Sequence, residues 1–463
     1  MAGDAKPFEF AGPAILWHVF KMFWATVFAV VLLAVDPFDL DRGVGERGRA
    51  FFYKIAAFAY PEARSPRTFV VLLDDAYLNE RDLAWPLPYQ AHAGVIDLIA
   101  SRQPAAIFID FTFIDPRDDE GVDYLVDTLR RVAERTPVFI ASGNTGPNTP
   151  DAREQIQALE AAGVRFVSIT TGADLGDGRG YPLATLEGEP PPAAVALYER
   201  LCATPGACAV SAGAAEMDIW WGVRRRDDFN CRGDQEAVCA RLDINPIERA
   251  ATMLASGLGV LTPDAWRLVD PVTTPYAPWA SVSDLLNGRN AAVLGPRMEH
   301  AVVIYGTQLS YTGDADISPV HGPLAGAHAH AMAYDNLVTL SGDYVRAPPA
   351  LDWDRKAHMV QLTCILAALA LLARIVLSLA FKPLRFNPDR KTAAFNVSDG
   401  LVLVIGALVI AYIEFQYMRI GPMMWAPILA AAAAGNVLAD VPWASWLYRK
   451  AAYRLLAGNR AWS

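Results

Sequence analysis

Three aspartates stand where two apolar runs end. Asp74 and Asp75 follow TFVVLL (68–73), and Asp110 closes AAIFID (105–110). Apolar runs of this kind, one rich in β-branched residues, read as strands buried on both faces of a parallel sheet. In open α/β sheets, ligands bind beyond the carboxyl ends of the strands. Carboxylates on such a rim can hold Mg²⁺ or Ca²⁺ through oxygen ligands. The alternative is structural: the same carboxylates cap the following helices and accept backbone N–H groups. Trp85 lies between the two runs, and His321, His328 and His330 come from far along the chain and can reach the same rim. A His-x-His pair at 328 and 330 can ligate a metal, or each ring can simply pack and hydrogen-bond.

Other chemistries find no purchase. There is no nucleophile elbow, P-loop, Rossmann glycine fingerprint, HExxH or CxxC. The GDGRG stretch (176–180) follows no strong strand and reads as a loop. Arg224, Arg225 and Arg226 precede Asp227 and Asp228, which reads as a solvated, self-neutralised turn. No base–nucleophile pair can be assembled, so the expectation is a non-enzyme without a cofactor. A metal-dependent hydrolase using the acidic rim is the weaker alternative.

Four of the five cysteines, Cys202, Cys208, Cys231 and Cys239, fall in one short region, and Cys364 lies in an apolar run. Clustered cysteines in an oxidising compartment favour disulfides. Nearest-neighbour pairing, Cys202–Cys208 and Cys231–Cys239, is preferred among three connectivities. A zinc site is the rival, although short C-x₂-C spacing is absent.

The elements that must position these residues follow from composition and pattern. Hydrophobic residues make up 53 % of the 463 residues and charged residues 19 %, with mean hydropathy +0.20. That charge content is low for a soluble chain. Lys plus Arg number 40 against 50 Asp plus Glu, a net charge of −10, which argues against nucleic acid as a partner. Four stretches meet the length of a membrane helix, at 15–35, 359–381, 400–418 and 423–441. The first lacks a basic n-region and a cleavage site and reads as a retained anchor. Basic flanks at Lys382, Arg385, Arg390 and Lys391, and at Arg449, Lys450, Arg454 and Arg460, put the 382–399 loop and the tail in the cytoplasm. Parity then places residues 1–14 inside and 36–358 outside. Trp443, Trp446 and Tyr448 read as an interfacial belt. Lys21, Arg374 and Glu414 lie near span ends, where side chains can snorkel, although a proton relay is conceivable.

Between the first and second spans, strand-like runs alternate with helical ones. TFVVLL, PYQAHAGVIDLIASR, AAIFID, DYLVDTLRRVAER, PVFIAS, REQIQALEAAG and VRFVSI follow in order. That rhythm predicts βαβ units and a three-layer α/β domain with a mainly parallel sheet. Residues 171–264, rich in Gly, Pro and Asp, break the rhythm and read as an insertion stapled by disulfides. Strand-like sequence resumes at AAVLG (291–295) or, better, AVVIYG (301–306), and HAMAYDNLVTL (330–340) reads as a closing helix.

Several of these features together resemble one family. They are the strand ending in Asp74-Asp75, the Trp85-Pro86 and Pro88 turn, His92 in the next helix, Asp110-Phe111, and the exit from Phe113 to Pro116. Asp314, Asp316, Pro319, Gly322 and Gly326, followed by His330-Ala331 and Asn336, complete the set. The chain resembles the type-two CHASE domain, an extracytoplasmic sensory module associated with cyclases and histidine kinases. Leu87 and Tyr89 stand where that family usually has an aromatic residue and an arginine. The cysteine-bearing insertion is also unusual. Family members continue into a cytoplasmic output domain, whereas this sequence stops soon after its last apolar stretch. The resemblance implies an integral protein of the bacterial inner membrane with its main domain in the periplasm. It would recognise a small molecule with Asp74, Asp75, Asp110, Trp85 and His330, and signal through a separate protein partner. The alternative is a non-catalytic accessory or structural subunit of an envelope complex.

Overall fold

A computed structural model describes residues 14–35, 40–61, 67–113, 121–142, 150–169, 180–185, 188–202, 216–226, 273–311, 315–347, 357–369, 403–421 and 425–440, with positions 208, 210, 240–241 and 372. The chain divides into two compact units, Ala50–Ala347 and the remainder, Met1–Arg49 with Pro348–Ser463.

In chain order the first helices are α1 (Ala14–Val35) and α2 (Leu40–Ala56). The larger unit then lays down β1 (Thr68–Asp74), α3 (Asp75–Arg81), α4 (Tyr89–Ala100), β2 (Ala106–Ile109), α5 (Gly121–Ala133), β3 (Val138–Ala141), α6 (Pro150–Ala161) and β4 (Arg165–Val167). After these come β5 (Tyr181–Pro182), α7 (Ala193–Leu201), β6 (Glu216–Met217), β7 (Val223–Arg226), β8 (Ala240–Arg241), β9 (Thr273–Pro275) and β10 (Trp279–Ser281). The unit closes with α8 (Val282–Leu286), α9 (Gly288–Met298), β11 (Val302–Gln308), β12 (Ala315–Ser318), β13 (Gly322–Ala325) and α10 (Gly326–Leu340).

The central sheet has six strands in the order β10-β1-β11-β2-β3-β4, all parallel. Residues 69–73 of β1, all of β2 and all of β3 are buried, as the unbroken apolar runs predict for a sheet covered on both faces. On one face, α4, α5 and α9 contribute Ile96, Leu129 and Leu294 to a core with Val71 and Ile107. On the other, α7 and α10 contribute Leu197, Ala331 and Leu337 to a core with Val70 and Phe108. The fold class is therefore the expected three-layer α/β, but the sheet order carries a surprise. β11 lies between β1 and β2, in register from Thr68↔Val302 to Asp74↔Gln308 and from Val302↔Ala106 to Tyr305↔Ile109. The two aspartate-bearing strands are second neighbours.

Two stretches differ from their sequence reading. The 171–264 segment supplies α7, which begins after Pro192 and buries Ala193, Ala194 and Leu197 in the second core. Proline suits the start of a helix because its missing N–H has no intrahelical partner there. The arginine run is a strand: Arg224 is buried, with its guanidinium 4.6 Å from the centre of the Tyr276 ring. Cys202 and Cys208 form a disulfide, as nearest-neighbour pairing anticipates, and Cys364 is a free thiol. Cys231, Cys239 and the expected interfacial tail lie outside the described residues.

The second unit contains α1, helical residues 357–369 and 403–413, a π-helical turn at Glu414–Met418 and α11 (Trp425–Asp440). Among the described residues no helix is long and apolar enough to cross a membrane. Glu414 does not extend outward as expected; it is buried, 3.5 Å from His358.

Candidate functional site

The carboxyl edge of the sheet brings β1, β11 and β2 to a common rim. Asp74 is the last residue of β1 and the N-cap of α3, where its Oδ1 accepts from the Tyr77 N–H at 2.9 Å. Half-burial pushes its carboxyl up from the usual range, and the Tyr77 N–H partly offsets this. Asp75, in the first turn of α3, accepts from the Ser310 N–H at 3.2 Å and so ties α3 to the end of β11. Both of these aspartates hold backbone, as the capping alternative describes.

Asp110 is different. It follows β2, its N–H donates to the Tyr305 carbonyl at 2.8 Å, and its side chain is only 6 % exposed. The first turn of α10 lies close by. A Cβ on Gly306 would stand 2.9 Å from the Ala327 Cβ and 3.5 Å from Asp110 Oδ2, so only glycine lets α10 approach the sheet this closely. His330, 3 % exposed at its side chain, lies one turn further along, with Nε2 4.0 Å from Asp110 Oδ1.

The far side of the His330 ring fixes its chemistry. Nδ1 is 2.8 Å from the Tyr181 hydroxyl, which accepts from the Ala194 N–H at 3.0 Å. A Tyr181 O–H donating to Nδ1 leaves the proton on Nε2, facing the Asp110 carboxylate; this tautomer is assigned from the hydrogen-bond pattern. Burial lowers the His330 pKa to about 4, so the ring is neutral. The 4.0 Å gap exceeds hydrogen-bond length, and desolvation outweighs any pull from the carboxylate. The first turn of α7, Tyr181, His330 and Asp110 thus form a polar chain through an apolar layer.

An aromatic wall stands beside this chain. His92 is buried, its Nδ1 3.2 Å from the Tyr305 hydroxyl and its ring 4.7 Å from Phe111 and 5.1 Å from Phe113. Trp85, partly buried, packs on Phe111 at 6.2 Å. Leu87 and Tyr89 are fully buried, and Tyr89 meets Phe113 edge to face at 5.6 Å. They therefore serve the core under the rim. His321 sits off the rim, with Nε2 3.2 Å from the Gly222 carbonyl. His328 is buried, and its Nδ1 has no partner among the described residues; burial and neighbouring His321 lower its pKa to about 3. His328 and His330 lie on a helix rather than a strand. Among the described residues, no group of three or more His, Cys, Asp or Glu side chains is placed to hold a metal.

A second polar cluster lies at the other end of α10. Asp335 is fully buried, and its Oδ1 accepts from the Tyr60 hydroxyl at 2.6 Å and from Thr339 Oγ1 at 3.0 Å. Arg67, just before β1, donates to Thr339 Oγ1 at 2.6 Å. Asn336 Nδ2 donates to the Tyr60 hydroxyl at 3.3 Å and to the Trp220 carbonyl at 3.1 Å, and its Oδ1 accepts from the Trp220 N–H at 2.9 Å. Burial raises the Asp335 carboxyl, countered by Tyr60, Thr339 and the charges of Arg67 and Arg224. The signal for this cluster was a lone aspartate inside the apolar HAMAYDNLVTL helix, a position that demands partners.

This unit is a three-layer α/β fold whose acidic rim is tied through Asp110 and His330 to a long helix. A family model, the CHASE2 domain, matches residues 24–373. The chain belongs to the CHASE2 family of extracytoplasmic sensory domains. No curated protein and no solved structure matches it.

Proposed function

We propose that the chain is a non-catalytic, membrane-anchored sensor whose extracytoplasmic unit recognises a small polar molecule at the Asp110–His330 end of the rim and signals through a separate protein partner. One observation carries the reading: α10 joins the two polar clusters. Its first turn abuts Gly306 and Asp110 at the carboxyl edge, and its last turn is bonded to Tyr60 and Arg67 at the amino edge. A 15-residue helix is about 22 Å long and moves as one body. A ligand that displaces the Asp110–His330 contact shifts the far end of α10, from which the chain leaves the unit.

Asp74 and Asp75 position loops at this rim, and Trp85 with Phe111 forms an apolar wall to it. The four apolar stretches and their basic flanks support membrane anchoring with both ends of the chain in the cytoplasm. The net charge of −10 argues against a nucleic-acid partner. Reporter fusions at Asn387 and Ser463 are expected inside, and one near Gly188 outside; an outside report at Ser463 refutes the topology. For recognition, the full chain in nanodiscs is screened by thermal unfolding against small polar metabolites, Mg²⁺ and Ca²⁺. A stabilising compound whose effect disappears in Asp110→Asn is the expected result. Stabilisation that survives in Asp110→Asn moves the site elsewhere, and a blank screen favours the accessory-subunit reading, which co-purification from native membranes addresses.

A further inference from the structure

The amino edge of the sheet, opposite the acidic rim, carries a small basic cavity. It is about 210 Å³ and is lined by Arg135, Arg165 and Arg200 with Glu134, Pro137 and Gly163. The three arginines come from three elements on two faces of the sheet: Arg135 from the turn before β3, Arg165 from the first position of β4, and Arg200 from the last turn of α7. All three side chains are exposed, and none makes an ion pair or side-chain hydrogen bond among the described residues.

The ordinary reading is that cations here answer the helix dipoles, since α5, α6 and α7 all end on this edge. At α5 and α6 several of the terminal carbonyls already accept backbone N–H groups. Val132 O accepts from the Arg135 and Thr136 N–H groups, Ala158 O from Ala162 N–H, and Glu160 O from Gly163 N–H. Those carbonyls are satisfied without the guanidinium groups. Gly163, at φ +87°, turns the chain tightly so that Arg165 follows at once. A Cβ there would sit 3.5 Å from the Ala133 Cβ, in ordinary contact with the end of α5. Three unpaired guanidiniums converge on this space against one carboxylate, in a chain whose net charge is −10.

We infer that this cavity is an oxyanion-binding site, with phosphate-type chemistry as its ligand class, held by Arg135, Arg165 and Arg200. Guanidinium forks match tetrahedral and planar oxyanions through paired N–H donors, and such charge-assisted bonds are about twice as strong as neutral ones. Either a free phosphate compound or a phospholipid headgroup supplies that chemistry.

The test uses the full chain in nanodiscs of two compositions. In neutral phosphatidylcholine discs, inorganic phosphate is titrated by calorimetry against sodium chloride of equal ionic strength. Saturable binding is expected, weakened about tenfold or more in Arg165→Ala/Arg200→Ala, and strengthened in Glu134→Gln, which removes the repelling carboxylate. In discs containing phosphatidylglycerol, without added phosphate, a rise in melting temperature lost in the same double variant assigns the ligand to the lipid. The exposed positions of these residues, with circular dichroism and the melting temperature in chloride as controls, separate lost binding from lost folding. Binding in neither disc overturns the inference, as does binding indifferent to both the arginine pair and Glu134.

Discussion

Removing the Tyr60 hydroxyl tests whether the Asp335 cluster anchors α10. In Tyr60→Phe, the Asp335 carboxyl loses its 2.6 Å donor and keeps only Thr339 on Oδ1, because Oδ2 has no partner among the described residues. Asn336 loses a 3.3 Å acceptor but keeps the Trp220 and Met332 carbonyls. The loss is therefore dominated by one hydrogen bond to an ionisable group, about 2 kcal/mol. For a unit of this size that corresponds to a fall in melting temperature of about 4 °C. The pH dependence has a definite sign. Burial raises the folded pKa of Asp335 above its ordinary 3.8, so the folded state holds the proton to higher pH than the unfolded chain. The contribution of this group to stability therefore falls as pH rises from about 3.8 through the folded pKa, then levels off. Tyr60 donates to the carboxylate and favours its ionised form. Its loss is accordingly costlier above the folded pKa of Asp335 than below it, and Asp335→Asn should flatten the slope between pH 4 and pH 8 in both backgrounds. Differential scanning calorimetry of the full chain in nanodiscs, as a double-mutant cycle at the two pH values, gives each quantity. An unchanged melting temperature in Tyr60→Phe at both pH values would show that the hydroxyl does not anchor Asp335.

Gly306→Ala drives a methyl into Ala327 and should destabilise the larger unit by about 1–3 kcal/mol, measured by urea unfolding, with Gly94→Ala, where a methyl meets nothing, as the control. Tyr181→Phe removes the donor to His330 Nδ1 and leaves the Ala194 N–H unsatisfied, a loss of about 1–3 kcal/mol seen in the same assay; no loss would show that the hydroxyl does not hold His330 and α7 together. Replacing Cys202 and Cys208 by serine opens a loop with a sequence separation of 6, and the chain-entropy model predicts a loss of about 2–3 kcal/mol, checked by melting with and without reductant.

What could be read beforehand follows from where each signal resides. β1, β2 and β3 are unbroken apolar runs because both faces of the sheet are covered, and that pattern is local. Helix α10 extends four residues earlier than HAMAYDNLVTL suggests, because Gly326, Ala327 and Ala329 carry little hydrophobic signal yet are buried against the sheet. Strand order is not a local property. Nothing near Val302 states that it pairs with Thr68 and Ala106 at once. Asp110 stood out because it ends a strand, and burial follows from that position. Tyr181, the partner of His330, lies beside a glycine-rich stretch with no periodicity, and Arg67 and Tyr60 lie outside any amphipathic pattern. Their roles arise only when α10 crosses the sheet and meets both ends.

The central position of β11 also sets a schedule for folding. β1 and β2 emerge early in synthesis, yet the strand that separates them arrives only at Val302. Until then each offers an unpaired, fully apolar edge, and the two are able to pair wrongly with each other or with another chain. Closing the sheet also requires a long loop, and such non-local pairing slows folding and lengthens exposure to aggregation. A chain truncated before β11 is therefore expected to be insoluble rather than partly folded. The sheet is safe only once the whole unit has been made, because its early strands lack their shared neighbour until β11 comes between them.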